Sequence, residues 1–151
     1  MNSLATCPLC HPANETVLWR NDTLRVIGVD GGPHPGLTRV IWQDHVKEMT
    51  DLPAAARASV METVWRVEQT QRDILRPDKV NLAQLGNMAP HVHWHIIPRW
   101  ACDSHFPEAI WAPAPLRSPL EQQQWHARMS QIEALVPQYR AALATALSDH
   151  S

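Results

Sequence analysis

The stretch His91-Val92-His93-Trp94-His95-Ile96-Ile97-Pro98 decides how this chain is read. Imidazoles alternate with apolar side chains, which predicts a β-strand, because successive side chains of a strand point to opposite faces of the sheet. His91, His93 and His95 then share one face, while Val92, Trp94 and Ile96 turn into the core. Three imidazoles in a row pack poorly and bind anions or metals well. A solvent-facing strand on which His merely recurs is the bland alternative, and the framing of the row by Pro90 and its apolar partners argues against it. Two chemical readings stand. His-x-His on a strand offers two ligands to one metal ion. Imidazole, with a pKa of about 6.5, is also a competent nucleophile at neutral pH without strong activation. It can displace a leaving group at phosphorus, while neighbouring imidazoles hold the phosphoryl oxygens.

Working outward, Val80–Leu85 reads as a second strand, separated from the first by Gly86-Asn87-Met88-Ala89-Pro90. Upstream, a helix is predicted with Asp51 as cap, Pro53 in the first turn and Ala54-Ala55-Ala56 following. Val60, Val64, Val67 and Ile74 give it a buried stripe, and Pro77 ends it. Before the helix lie three strands, at Val17–Trp19, Leu24–Asp30 and Leu37–Trp42. They are divided by the Asn21-Asp22 turn and by Gly31-Gly32-Pro33-His34-Pro35-Gly36, so antiparallel neighbours are expected. Downstream, residues 101–119 are rich in Pro and Trp without periodicity, which suits an ordered loop over the sheet. Ser118-Pro119-Leu120-Glu121 is a capping box, and Trp125, Met129, Ile132 and Leu135 form the stripe of a last helix that Pro137 should kink or restart. The expected fold class is α+β: an antiparallel sheet of about five strands, one long helix and a C-terminal helical segment.

A chain of 151 residues fits one domain with its own core. Its net charge of −2 gives no broad basic field, which excludes a nucleic-acid polymer or an anionic membrane as the expected partner. Any phosphate site must be local. No apolar run approaches the roughly 20 residues of a membrane span, and Met1–Cys7 lacks the blocks of a secretory leader; together these suggest the cytoplasm. Seven Trp beside one Phe and one Tyr mean that Trp should supply most of the aromatic core. Cys7-Pro8-Leu9-Cys10 has metal-ligand spacing, and three cysteines suit a reducing compartment. A redox pair is the weaker reading, because no helix or βαβ unit follows Cys10. A pair needs further ligands, with His11 and Cys102 among the candidates.

Residues 91–97 match every position of the motif His-φ-His-φ-His-φ-φ (φ, apolar), and on this motif the chain resembles the histidine-triad family. The likeness extends over residues 7–99 in the order of strands, long helix and triad strand, and includes Pro98-Arg99. It implies a histidine-triad domain over 1–116, with residues 117–151 as a helical extension packed on it. It implies that His93 attacks an α-phosphate and becomes nucleotidylated, that His95 holds a phosphate oxygen and aids the leaving group, and that His91 completes the row. Asp30 would accept hydrogen bonds from ribose hydroxyls, although Asp before Gly31-Gly32 also suits a turn; Asn81 and Asn87 would lie near the α-phosphate. Substrates implied are nucleoside 5′-phosphoramidates or diadenosine polyphosphates, handled by a homodimer without an organic cofactor. Bacterial members and the related galactose-1-phosphate uridylyltransferases further imply a structural zinc on Cys7, Cys10, His45 and His91. Two positions depart from the family: Leu37 stands where many members have a fourth histidine, and Met88 where a Ser or Thr is common. His34, near Leu37, receives no role; His105 and Trp111 either close over the nucleotide or are surface and core residues. A metallohydrolase using the row as ligands, and a nucleotide-binding module without turnover, are the rival functions.

Overall fold

A computed structural model describes residues 4–149. Residues 1–3 and 150–151, on which part of the leader reading and the outer limits of the expected domain fall, lie outside the described residues. Five strands form one antiparallel sheet in the order β1-β2-β3-β5-β4. They are β1 Thr16–Arg20, β2 Leu24–Gly28, β3 Thr38–Trp42, β4 Lys79–Gln84 and β5 His93–Arg99. The β1–β2 hairpin closes on Asn21, whose Oδ1 accepts from the backbone N–H of Thr23 at 2.9 Å and of Leu24 at 2.8 Å, the local bonding that makes Asn a turn residue. The helices are α1 Ala54–Ile74 and α2 Pro119–Ser148. None of the described helices is long and apolar enough to cross a membrane.

Period-two alternation sorts the strands into two faces. Leu24 and Val26, Val40, Val80, and Val92 and Ile96 join one cluster with Val60, Val64 and Val67 of α1 and with Trp125, Ile132, Tyr139, Leu143 and Leu147 of α2. Both helices therefore cover that face in a single core. The opposite face carries Ile27 and Ile41 beneath Cys7 and Leu9, so the N-terminal segment covers it there. Gln71, wholly buried on α1, donates from Nε2 to the carbonyls of Gly36 at 3.1 Å and Ile96 at 3.0 Å, stapling helix to sheet.

Several local expectations change. Asp51 does not cap α1; it ends a 3₁₀ turn, Met49–Asp51, and accepts from the Glu48 N–H, while extended Pro53 takes the N-cap place. Pro77 stands beyond the end of α1, which closes at Arg76 in a left-handed conformation, φ 51°, with the Arg76 N–H donating to the Gln71 carbonyl at 3.2 Å. The capping box at Ser118 forms as expected, with Glu121 N–H to Ser118 Oγ at 3.2 Å and Ser118 N–H to Glu121 Oε2 at 2.7 Å. α2 does not restart at Pro137 but runs through it as one helix. Its buried stripe is Trp125, Ile132, Tyr139, Leu143 and Leu147, with Val136 partly buried and Leu135 exposed. The aromatic core is mostly Trp, as expected: Trp100 and Trp125 are buried with Tyr139, and Trp19, Trp42 and Trp94 pack against them, while Trp65 and Trp111 are half exposed.

Candidate active site and metal cluster

β5 begins at His93, so His91 stands just before the strand, fully buried, with its ring edge to face with that of His45 at 5.2 Å between centroids. Its Nε2 lies 2.6 Å from the Trp42 carbonyl. A carbonyl only accepts, so Nε2 carries the proton and Nδ1 presents its lone pair. That Nδ1 is 3.5 Å from Cys7 Sγ and 3.5 Å from Cys10 Sγ, and Cys10 Sγ is 3.4 Å from His45 Nδ1. All four donor atoms lie within 4.8 Å of one another. Ligand bonds of zinc's length at tetrahedral angles set sulfur–nitrogen separations of about 3.6 Å, so the donor set has the dimensions of a closed tetrahedral site. Burial pushes the His91 pKa down, favouring the neutral imidazole that ligates, and the Trp42 carbonyl supplies the outer hydrogen bond that metal-bound histidines generally keep. His11 and Cys102 do not join this cluster, and both are exposed. Arg25 steadies the cysteine turn: it pairs with Glu15 at 2.7 and 2.9 Å and donates to Leu9 O at 2.7 Å and Gln43 Oε1 at 2.9 Å.

His93 and His95 line a cavity of about 720 Å³ between the N-terminal segment, the Leu85–Ala89 connection and Trp111. His93 Nδ1 lies 2.6 Å from the His91 carbonyl. By the same argument Nδ1 is the donor, and Nε2 keeps the free lone pair of a nucleophile or acceptor. Burial lowers the His93 pKa. Burial first, then the charge of Arg39, hold His95 down at about 4, so its imidazole is neutral at pH 7. The two rings meet edge to face with centroids 5.0 Å apart, and Trp111 packs on His95 at 5.1 Å. Among the described residues, His95 Nδ1 has no hydrogen-bond partner although it is buried. The one carboxylate lining this cavity among the described residues, Glu15, is already engaged by Arg25.

The remaining predicted residues are distributed around this cavity. Asn87 and Met88 line it, and Met88 is 99% exposed. Asp30 lies in an adjoining cavity of about 530 Å³ that shares Asn14, Glu15, Ile27 and Arg39 with the first. Its carboxylate accepts from Thr16 Oγ1 and pairs with Arg140 of α2 at 2.7 Å, and these bonds hold its pKa below the usual range. Asn81 lines a third cavity, on the far side of Trp111, where its Oδ1 accepts from Arg99 Nη1 at 2.9 Å. Arg99 itself is buried and paired with Asp103. Burial alone would raise the Asp103 carboxyl, but Arg99 and the N–H groups of His105 and Phe106 outweigh it and lower the pKa. His105 meets the His34 ring edge-on at 5.0 Å between centroids and does not line the histidine cavity, whereas Trp111 does. Leu37 is buried. Arg39, two residues on, was not singled out from the sequence, yet it pairs with His95 across β3 and β5. A signal was available: a lone cation in the apolar run Leu37–Trp42, out of phase with Val40.

A family model described as the HIT domain matches residues 12–101. An AP-4-A phosphorylase of Mycobacterium tuberculosis is 28% identical over 79 residues, which is 48% of this chain and 40% of that protein. The chain thus spans about two fifths of the curated relative it matches. Among solved structures, a histidine triad protein from Marinobacter aquaeolei superposes with a TM-score of 0.62 at 23% identity, over 84% of this chain and 92% of that one. A Zn-bound histidine triad family protein from Mycobacterium smegmatis superposes at 0.53 with 20% identity, over 91% and 97%. These likenesses are of fold.

Proposed function

This chain belongs to the HIT-domain, or histidine-triad, family, and from that premise we propose that it is a nucleotide hydrolase or nucleotidyl transferase acting at an α-phosphate through His93. The observation that carries the reading is the tautomer of His93: Nδ1 donates to the His91 carbonyl, which leaves Nε2 as the lone pair at the cavity. Nε2 attacks the α-phosphorus, a P–N bond forms, and the bond to the leaving group breaks with its electron pair going to the leaving atom. Water or another acceptor then attacks the same phosphorus, loses a proton, and returns the P–N electron pair to Nε2. His95, neutral and with a buried ring nitrogen unpaired among the described residues, contacts a phosphate oxygen and the departing group. The Asn87 amide donates to the α-phosphate. Asp30, kept ionised by Thr16 and Arg140, takes the ribose hydroxyls. Asn81 acts at one remove, because its Oδ1 is held by Arg99.

The substrates that fit are diadenosine polyphosphates and nucleoside 5′-phosphoramidates, and the M. tuberculosis relative is named for the former class. Cys7, Cys10, His45 and His91 would hold a structural zinc, for which their spacing and the Zn-bound M. smegmatis protein are the support. Bound there, the ion ties the entry of β5 to the N-terminal segment and takes no part in the phosphoryl chemistry. Residues 1–116 form the histidine-triad domain, and residues 117–151 are a helical extension of it, whose α2 joins the same core. The protein works as a homodimer in the cytoplasm, a setting that its three free thiols suit. The test is mass spectrometry of the protein quenched without acid after brief exposure to diadenosine tetraphosphate or an adenosine phosphoramidate. Wild type should carry an added AMP and His93→Ala should not. An adduct on the variant would remove His93 as the nucleophile, and no adduct with no released AMP would favour a binding module.

A further inference from the structure

Three arginines project into the sheet face opposite the helices or its margin, and they are not alike. Arg25 is held by Glu15 and Arg99 by Asp103, each through two nitrogens. The Arg39 side chain forms no hydrogen bond or ion pair among the described residues, and its Nε is buried without a partner. Leaving a guanidinium nitrogen buried and unsatisfied is costly, and native structures seldom keep such a group without a use for it. The acid whose charge acts on it, Glu15, is already paired with Arg25.

The position of Arg39 indicates the use. β3 pairs Arg39 with His95 on one side, and β2 pairs it with Ile27 on the other. It lines both the cavity of His93 and His95 and the adjoining cavity of Asp30. A cation beside two imidazoles at one cavity wall makes the floor of the cavity attractive to an anion larger than one phosphoryl group. Guanidinium also matches phosphate geometry through paired N–H donors.

We propose that Arg39 is the phosphate-chain subsite of this cavity: it binds the phosphate next to the attacked phosphorus and selects nucleotides with a phosphoanhydride at that position over those with an uncharged leaving group. The inference rests on the reading of His93 and narrows it, because an amine leaving group gains nothing from a fixed cation, while a departing phosphate gains negative charge as its bridging P–O bond breaks.

The test is calorimetric titration of the full chain with AMP and with ADP, for wild type, Arg39→Gln and Arg39→Lys, alongside the adduct assay on wild type. Wild type should bind ADP at least tenfold more tightly than AMP. Arg39→Gln should bring that ratio to within about twofold by losing ADP affinity far more than AMP affinity, and Arg39→Lys should recover part of it. A ratio unchanged in Arg39→Gln, no preference in wild type, or no binding of either nucleotide would overturn the subsite. An intact Arg39-dependent preference with no AMP adduct on His93 would retain the subsite and reject the covalent chemistry instead.

Discussion

The neutral imidazoles are the residues with the clearest consequence in solution. His95 is 5% exposed, and its pKa stands at about 4 in the folded protein. In the unfolded chain it returns to about 6.5. As pH falls, the unfolded chain therefore takes up the proton first, and stability is lost from the unfolded pKa downward until the folded group titrates. From pH 7 to pH 5 the share of His95 in this loss is about 2 kcal/mol. His34 is displaced in the same direction, also to about 4, so it contributes to the background slope. Urea unfolding of wild type and His95→Gln at several pH values between 7 and 5 isolates the difference: the variant should lose markedly less stability over that range. Equal slopes would mean that folded His95 accepts a proton as readily as free imidazole, and its role as a neutral group at pH 7 would fail. At this scale the sequence was most informative where spacing alone defines geometry. A His-x-His-x-His row and a Cys-x-x-Cys pair can be seen without a fold. Arg39 cannot, because its meaning depends on β3 lying beside β5 in the register that sets it opposite His95.

Elements were legible where their signals are local. The capping box of α2 depends on four consecutive residues and forms as those residues require. The stripe of α2 drifted, because Leu135 was placed by continuing a short run, whereas 3.6 residues per turn carry the buried line from Ile132 to Val136 and Tyr139. Asp51 was misplaced for the opposite reason: a good capping residue was spent on a 3₁₀ turn that the sequence did not announce. Pro137 tests the energetics of α2 directly. It lies inside the helix on an exposed position, so the Glu133 carbonyl, which loses its amide partner there, can be hydrated, and the helix continues at a cost. Proline costs roughly 3 kcal/mol against alanine in a helix interior, offset by up to about 1 kcal/mol through the stiffer unfolded chain. Pro137→Ala should therefore stabilise the protein by about 2 kcal/mol, a rise of roughly 4–8 °C in melting temperature for a chain of this size. Thermal unfolding monitored at the far-ultraviolet helix signal measures it. A fall in melting temperature would show that Pro137 is part of a packing arrangement that alanine cannot reproduce.

Across the whole molecule, the Cys7–Cys10–His45–His91 cluster joins three parts of the chain that are far apart in sequence: the N-terminal turn, the segment leaving β3, and the entry to β5. The same His91 supplies the carbonyl that fixes the His93 tautomer. Metal at the cluster would therefore act on the site through position, with its four protein donors leaving no open coordination place for a substrate. This separates the two metal readings. If the ion is structural, binding to the folded state alone adds stability by mass action, about 4 kcal/mol at a thousandfold excess over the dissociation constant, and roughly 10 °C of melting temperature depends on it. The expected outcome is about one zinc per chain in protein purified without chelator, and much less in Cys10→Ser, which should melt roughly 10 °C lower. At a temperature where Cys10→Ser is still folded, it should nevertheless form the His93–AMP adduct, more slowly because the His91 carbonyl is less firmly placed. A catalytic ion predicts the reverse pattern, with chemistry abolished in folded Cys10→Ser and recovered as zinc is restored. Adduct formation and melting temperature, measured on the same zinc-depleted sample, thus decide whether the metal holds the strand or performs the reaction.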